Sequence, residues 1–213
     1  MTHATWLFDL DNTLHNASAH IFPHINAAMT RYLEHYLTLP RDEANALRMH
    51  YWGRYGATLL GLVRHHGTDP RHFLAETHRF EKLHEMMVFD RALGSMLTHL
   101  PGRKIVFSNG PRRYVDAVLD IMGIRRHFVA TYGIEQLHFH PKPAARAFRL
   151  LLDNENLEAR RCILVEDSVE NLRTAKRLGM KTVLIGRGLR QPPYVDLKLR
   201  SILALRRSAG RVL

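Results

Sequence analysis

The sequence predicts an α/β protein: a doubly wound parallel sheet of five strands, with an all-helical cap inserted after the first strand. Three observations predict it. Five short apolar runs read as strands buried on both faces, which lose the alternation of half-exposed strands. Helical patterns separate the later runs, the rhythm of strand-helix-strand units. The stretch from Asn16 to Val88 breaks that rhythm and holds no strand pattern. A chain of 213 residues with 46% hydrophobic content has enough apolar mass for one sizeable core, or one core carrying an insert.

Taken in order, the first strand spans Thr5 to Leu10. In the insert, Ile25, Met29, Tyr32, Leu33 and Tyr36 recur at helical spacing. Glu43 to Tyr51 and Thr58 to His66 continue in helical style, and Asp69-Pro70 marks a turn before another helix. The second strand is Lys104 to Phe107. The helix Pro111 to Leu119 follows, with Pro in its first turn and its end near Gly123. Phe128 to Thr131 is the third strand. Pro143 to Leu152 is a helix with Ala144, Ala147, Phe148, Leu151 and Leu152 on one face. Cys162 to Val165 is the fourth strand. A helix from the N-cap Ser168 runs to Leu178 and stops at Gly179. Thr182 to Ile185 is the fifth strand. After Pro192-Pro193 the tail reads as an amphipathic helix, with Leu197, Ile202, Leu203 and Leu205 free to dock on the core or a partner. The expected division is a core of residues 1–15 and 89–213, and a cap of residues 16–88. The cap leaves the chain just past a strand's carboxyl end, where open α/β sheets bind ligands, so it is placed to form a lid.

Composition narrows the class. The single cysteine, Cys162, excludes an internal disulfide framework and suits a reducing compartment. It sits in an apolar run and is expected to pack as a small hydrophobe. The N-terminus shows no basic, apolar and small-residue series of a secretory signal, and no run approaches the ~18 apolar residues of a membrane span. A soluble, cytoplasmic protein is expected. The formal charge of +11 attracts polyanions. From Arg187 to Arg211 seven bases face one acid, Asp196, but no nucleic-acid-binding motif accompanies them. The expected partner is therefore a small anionic molecule, with neither a membrane nor a nucleic acid. The 15 histidines form no zinc signature.

The chemistry-bearing residues lie at the carboxyl ends of the predicted strands. Asp9 and Asp11 project together if the strand persists, because side chains two apart share a face. Two carboxylates that close repel unless a cation lies between them, which makes the pair a candidate Mg²⁺ site and a candidate nucleophile with its proton carrier. Ser108-Asn109-Gly110 offers a hydroxyl and backbone N–H groups to a phosphate oxygen. Lys142 stands between Pro141 and Pro143. Glu166-Asp167-Ser168, with Asn171 beyond, adds a second acidic strand end. Each alone has a plain alternative: Ser108 and Asp167 as helix caps, Lys142 as a surface turn residue. Their fixed order on neighbouring strands is more specific than any one of them.

That ordered set resembles the four motifs of the haloacid dehalogenase-like phosphohydrolase superfamily, over essentially the whole chain. Asp9 to Ser18 and Tyr55 to Leu62, with Met29 and Tyr32, are similar to the pyrimidine 5′-nucleotidase branch. His15 departs from the aromatic often found there, and Ser108 stands where many relatives have threonine. The resemblance implies a Rossmann-like core and Mg²⁺-dependent hydrolysis of pyrimidine nucleoside 5′-monophosphates of the UMP, CMP and dUMP type. The alternative is another small phosphomonoester: phosphoglycolate, a sugar phosphate or a phosphorylated cofactor. It implies that Asp9 is the nucleophile and Asp11 the acid and then the base. It places Mg²⁺ on the carboxylates of Asp9 and Asp167 and the carbonyl of Asp11, with Glu166 and Asn171 in support. Ser108 and the Asn109 N–H would bind the phosphoryl oxygens, and Lys142 would offset negative charge. Asp11 separates this chain from the dehalogenases, which have no leaving alkoxide to protonate. Trp52 and Tyr55 of the cap are candidates to stack on a base.

Overall fold

The computed structural model describes residues 4–188 and 190–213. The chain divides into two compact units, residues 1–16 with 88–213, and residues 17–87.

The first unit is built on a six-stranded parallel sheet in the order β3-β2-β1-β4-β5-β6, where β1 is Thr5–Phe8, β2 Arg103–Phe107, β3 Ala130–Tyr132, β4 Cys162–Glu166, β5 Lys181–Ile185 and β6 Leu197–Leu199. The chain adds β2 and β3 on one side of β1, then returns to place β4 on the other. That reversal makes β1 and β4 the switch point, where a crevice opens at the strands' carboxyl ends. The register aligns those ends: Phe8 lies opposite both Val106 and Val165. Burial on both faces explains the uninterrupted apolar runs, since β1 and β4 are buried throughout. Leu7, Ile105, Phe107, Phe148, Leu151 and Leu164 belong to one buried core, and the Phe107 and Phe148 rings meet edge to face at 5.1 Å.

Two expectations need correction. The sheet has six strands, not five, because Leu197–Leu199 pairs with β5 instead of joining an amphipathic helix. Leu197 and Leu199 are buried around the less buried Lys198, a period of two, not 3.6. The helical part of the tail is confined to α9, Leu205–Ser208, flanked by 3₁₀ turns. The first strand also stops at Phe8, before Asp9 and Leu10. The chain turns there, with Leu14 N–H donating to Leu10 O at 2.9 Å and Asn12 at φ 61°, a left-handed conformation that asparagine tolerates better than most residues.

The helices of this unit are α5 (Leu93–His99), α6 (Arg112–Ile121), α7 (Ala145–Asn154), α8 (Val169–Arg177) and α9. Ser168 caps α8 by accepting the Asn171 N–H.

The second unit holds four helices, α1 (Ile21–Tyr36), α2 (Arg41–Tyr55), α3 (Thr58–His66) and α4 (Pro70–Thr77). Asp69 caps α4, taking the Arg71 N–H at 3.0 Å, and Pro70 opens it. Leu33, Leu62 and Phe73 are fully buried between these helices, and the Tyr32 ring meets Phe73 edge to face at 5.0 Å. Gly61 permits the closest approach: a Cβ there would lie 2.2 Å from the Tyr51 ring.

Candidate functional site

Asp9 follows β1 directly, and its N–H donates to Val165 O at 3.0 Å, so the β1–β4 ladder fixes its backbone. Its carboxylate Oδ1 accepts a bond of 2.8 Å from Lys142 Nζ. That ammonium has three protons and three acceptors: Asp9 Oδ1, Glu166 Oε2 at 2.8 Å and Phe107 O at 2.7 Å. Lys142 comes from the loop between β3 and α7, and the Asn109 side chain holds that loop. Asn109 Nδ2 donates to Lys142 O at 3.0 Å, and Lys142 N–H donates to Asn109 Oδ1 at 2.8 Å. The end of β2 and the loop ahead of α7 thus meet through one amide.

Glu166 ends β4, and both its oxygens are occupied. Oε1 accepts from the N–H groups of Asp167 and Ser168, and Oε2 from Lys142 and Asn171 Nδ2. Ser108 is buried at the end of β2, where its Oγ accepts the Gly110 N–H at 2.9 Å and its own N–H bonds to Tyr132 O.

Burial sets the electrostatics. Desolvation, reinforced by the negative charge of Glu166 and only partly offset by Lys142, raises Asp9 to about 7. Desolvation, its hydrogen bond to Glu166 and that residue's charge raise Asp167 to about 8. Burial also opposes ionisation of Glu166, but Lys142 and the bonds from Asp167 and Asn171 outweigh it and hold this carboxyl below its ordinary range. Burial would lower Lys142, yet Asp9 and Glu166 keep it above an ordinary lysine.

Carboxylate oxygens of Asp9, Glu166 and Asp167 lie within 4.8 Å of one another. Three carboxyl groups beside a single ammonium leave this buried cluster short of positive charge. Hard oxygen donors at this spacing suit a divalent cation such as Mg²⁺. With Glu166 saturated, Asp9 and Asp167 are the two side chains with oxygens to offer.

The Asp11 carboxylate points to different partners. Tyr114 Oη donates to Asp11 Oδ1 at 2.6 Å, and His15 Nε2 lies 3.1 Å from the same oxygen. Asp9 and Asp11 are therefore held by separate networks, both beyond the end of β1, while the Asp11 charge still adds to the rise at Asp9. Sequence reasoning missed Tyr114 and the side-chain role of Asn109. The one available signal was Tyr114 at the start of an amphipathic helix, where a buried phenol needs a partner for its hydroxyl.

A haloacid dehalogenase-like hydrolase model matches residues 4–179, most of the chain and every residue above. The protein belongs to the haloacid dehalogenase-like hydrolases. This hydrolase is 30% identical over 208 residues to a phosphoglycolate phosphatase of Rhodospirillum rubrum, an alignment covering 90% of this chain and 83% of the relative. It is also 30% identical over 192 residues to a 5′-nucleotidase of Pseudomonas aeruginosa, covering 85% and 82%. Among solved structures, the hydrolase superimposes on a HAD phosphatase from Thermococcus onnurineus with a TM-score of 0.68 at 22% identity, covering 99% of this chain and 98% of that one. An L-2-haloacid dehalogenase from Xanthobacter autotrophicus gives a TM-score of 0.63 at 14% identity, covering 98% and 99%. The last two likenesses show the fold, which phosphatases and dehalogenases share.

Proposed function

We propose that the protein is a Mg²⁺-dependent phosphomonoesterase acting on pyrimidine nucleoside 5′-monophosphates through an aspartyl-phosphate. The observation that carries the chemistry is the buried Asp9–Lys142–Glu166 chain of ion pairs, with a second carboxyl, Asp11, that is bonded by Tyr114 and not by Lys142.

A carboxylate approaching a phosphate dianion meets strong repulsion, about 4 kcal/mol per unit-charge pair at ~4 Å and an effective dielectric of ~20. Lys142 reduces that repulsion at Asp9. The carboxylates of Asp9 and Asp167 and the carbonyl of Asp11 would hold Mg²⁺, which when bound offsets the remaining charge on the phosphoryl group. Ser108, with its Oγ fixed by Gly110, and the Asn109 N–H bind phosphoryl oxygens. Asp9 attacks phosphorus in line, and the bond to the leaving oxygen breaks. Asp11 gives that oxygen its proton. Asp11, now ionised, takes a proton from the water that attacks the aspartyl-phosphate, which frees Asp9 and inorganic phosphate.

The choice of a nucleotide rests on the 30% identity to a 5′-nucleotidase. Of the two cap aromatics, Trp52 is 58% exposed on α2, whereas the Tyr55 hydroxyl bonds His65 at 2.7 Å, and Arg54 and Arg64 lie over its ring. The equal identity to a phosphoglycolate phosphatase favours a second reading, the same chemistry on phosphoglycolate. A panel of UMP, CMP, dUMP, phosphoglycolate and sugar phosphates separates them. The first reading expects the highest kcat/KM on a pyrimidine nucleotide, and background rates on all three nucleotides would remove it.

A further inference from the structure

Asp11 receives both of its contacts on one oxygen. Tyr114 Oη donates to Oδ1 at 2.6 Å and His15 Nε2 lies 3.1 Å away, while Tyr114 Oη and His15 Nε2 are themselves 3.4 Å apart. The three groups close a triangle. No hydrogen bond to Oδ2 is found among the described residues. The partners are rigidly placed. The His15 side chain is fully buried, and Tyr114 is 3% exposed in the first turn of α6. Gly110 makes room for the Tyr114 ring, since a Cβ there would lie 2.9 Å from its Cδ1. The loop that carries Ser108 and Asn109 is therefore shaped around a tyrosine reaching Asp11 from 103 residues away in the sequence.

We propose that Tyr114 and His15 are positioning residues that pin Asp11 through Oδ1, so that Oδ2 alone exchanges the proton with the leaving group and the water. This rests on the phosphomonoesterase reading above. A carboxyl free to rotate about its terminal bond presents either oxygen in a broad range of angles. Two contacts on one oxygen remove that freedom before substrate arrives, and pre-set geometry is a main source of catalytic rate. In this role each residue would act on the reaction through Asp11.

The leaving group provides the test. An alkyl phosphate departs as a basic alkoxide and needs the Asp11 proton. 2,4-Dinitrophenyl phosphate departs as a weakly basic phenolate and does not. Because kcat/KM reports phosphoryl transfer to Asp9, its ratio between the two substrates isolates the protonation. Tyr114→Phe keeps the ring and removes the hydroxyl. It is expected to lower kcat/KM about 10- to 100-fold on the alkyl phosphate hydrolysed fastest in the panel, and less than about threefold on 2,4-dinitrophenyl phosphate. His15→Leu should reproduce the selective loss and His15→Gln, which keeps an N–H donor, should recover part of it. That pair decides the matter if Tyr114→Phe unfolds at the assay temperature. Equal losses on both substrates would assign Tyr114 and His15 a purely structural role and overturn the proposal alone. A wild-type protein that hydrolyses neither substrate would overturn the phosphomonoesterase reading and this inference with it.

Discussion

At the scale of single residues, Lys142 concentrates most of the site's energetics. It is 2% exposed, and its three protons are shared among Asp9, Glu166 and the Phe107 carbonyl. Removing one partner from a buried ionic network leaves the others uncompensated, which costs more than the pair itself contributes. Lys142→Met is expected to destabilise the metal-free protein by about 3–5 kcal/mol in chemical denaturation. A loss below about 1 kcal/mol would show that water reaches the cluster. The sequence pointed to Asp9, Lys142 and Asp167 as candidates because Asp9 and Asp167 directly follow strands and Lys142 stands in a Pro-flanked turn ahead of α7. The bonds that orient them were not. Tyr114 to Asp11 and Asn109 to the Lys142 backbone join residues 103 and 33 apart, and nothing local specifies such pairs.

At the scale of elements, periodicity located the long helices and the buried strands, and it failed where an element is short. Leu197-Lys198-Leu199 is only three residues long, so a period of two cannot be told there from the start of an amphipathic helix. The third strand starts at Ala130, two residues later than Phe128, because Phe128 closes a turn on Arg125 and Val129 is 61% exposed. Close packing between elements was equally hidden. Gly61 on α3 lies against the Tyr51 ring of α2, whose hydroxyl bonds His66 at 2.8 Å. Gly61→Ala would raise helix propensity in isolation but must displace that ring. Overpacking of this kind predicts a loss of about 1–3 kcal/mol, read as a lower Tm. An unchanged or higher Tm would mean that α2 and α3 separate at little cost.

At the scale of the whole molecule, the buried acids make stability and cation binding depend on pH. Asp9 is raised to about 7 and Asp167 to about 8, whereas in the unfolded chain both sit near 4. The folded state thus holds protons that the unfolded state has lost, so these groups weaken the metal-free protein as pH climbs from about 4 towards 8. A cation requires the ionised forms and competes with those protons. The increase in Tm on adding Mg²⁺ is therefore expected to be larger at pH 8.5 than at pH 6. Equal increases would place the cation away from Asp9 and Asp167. The strand-helix rhythm and the strandless stretch after β1 were both visible in the sequence. The added β6 extends the sheet edge and leaves the β1–β4 switch point where the acids converge.

The central claim is that Asp9 is the nucleophile. Hydrolysis of the phosphomonoester panel in Mg²⁺ by the wild-type protein and by Asp9→Asn tests it most directly. Asp9→Asn keeps the size of the side chain and removes the attacking carboxylate. The account predicts turnover by the wild type and a loss of at least about 10³-fold in the variant. An Asp9→Asn protein that keeps a rate comparable to the wild type would contradict it.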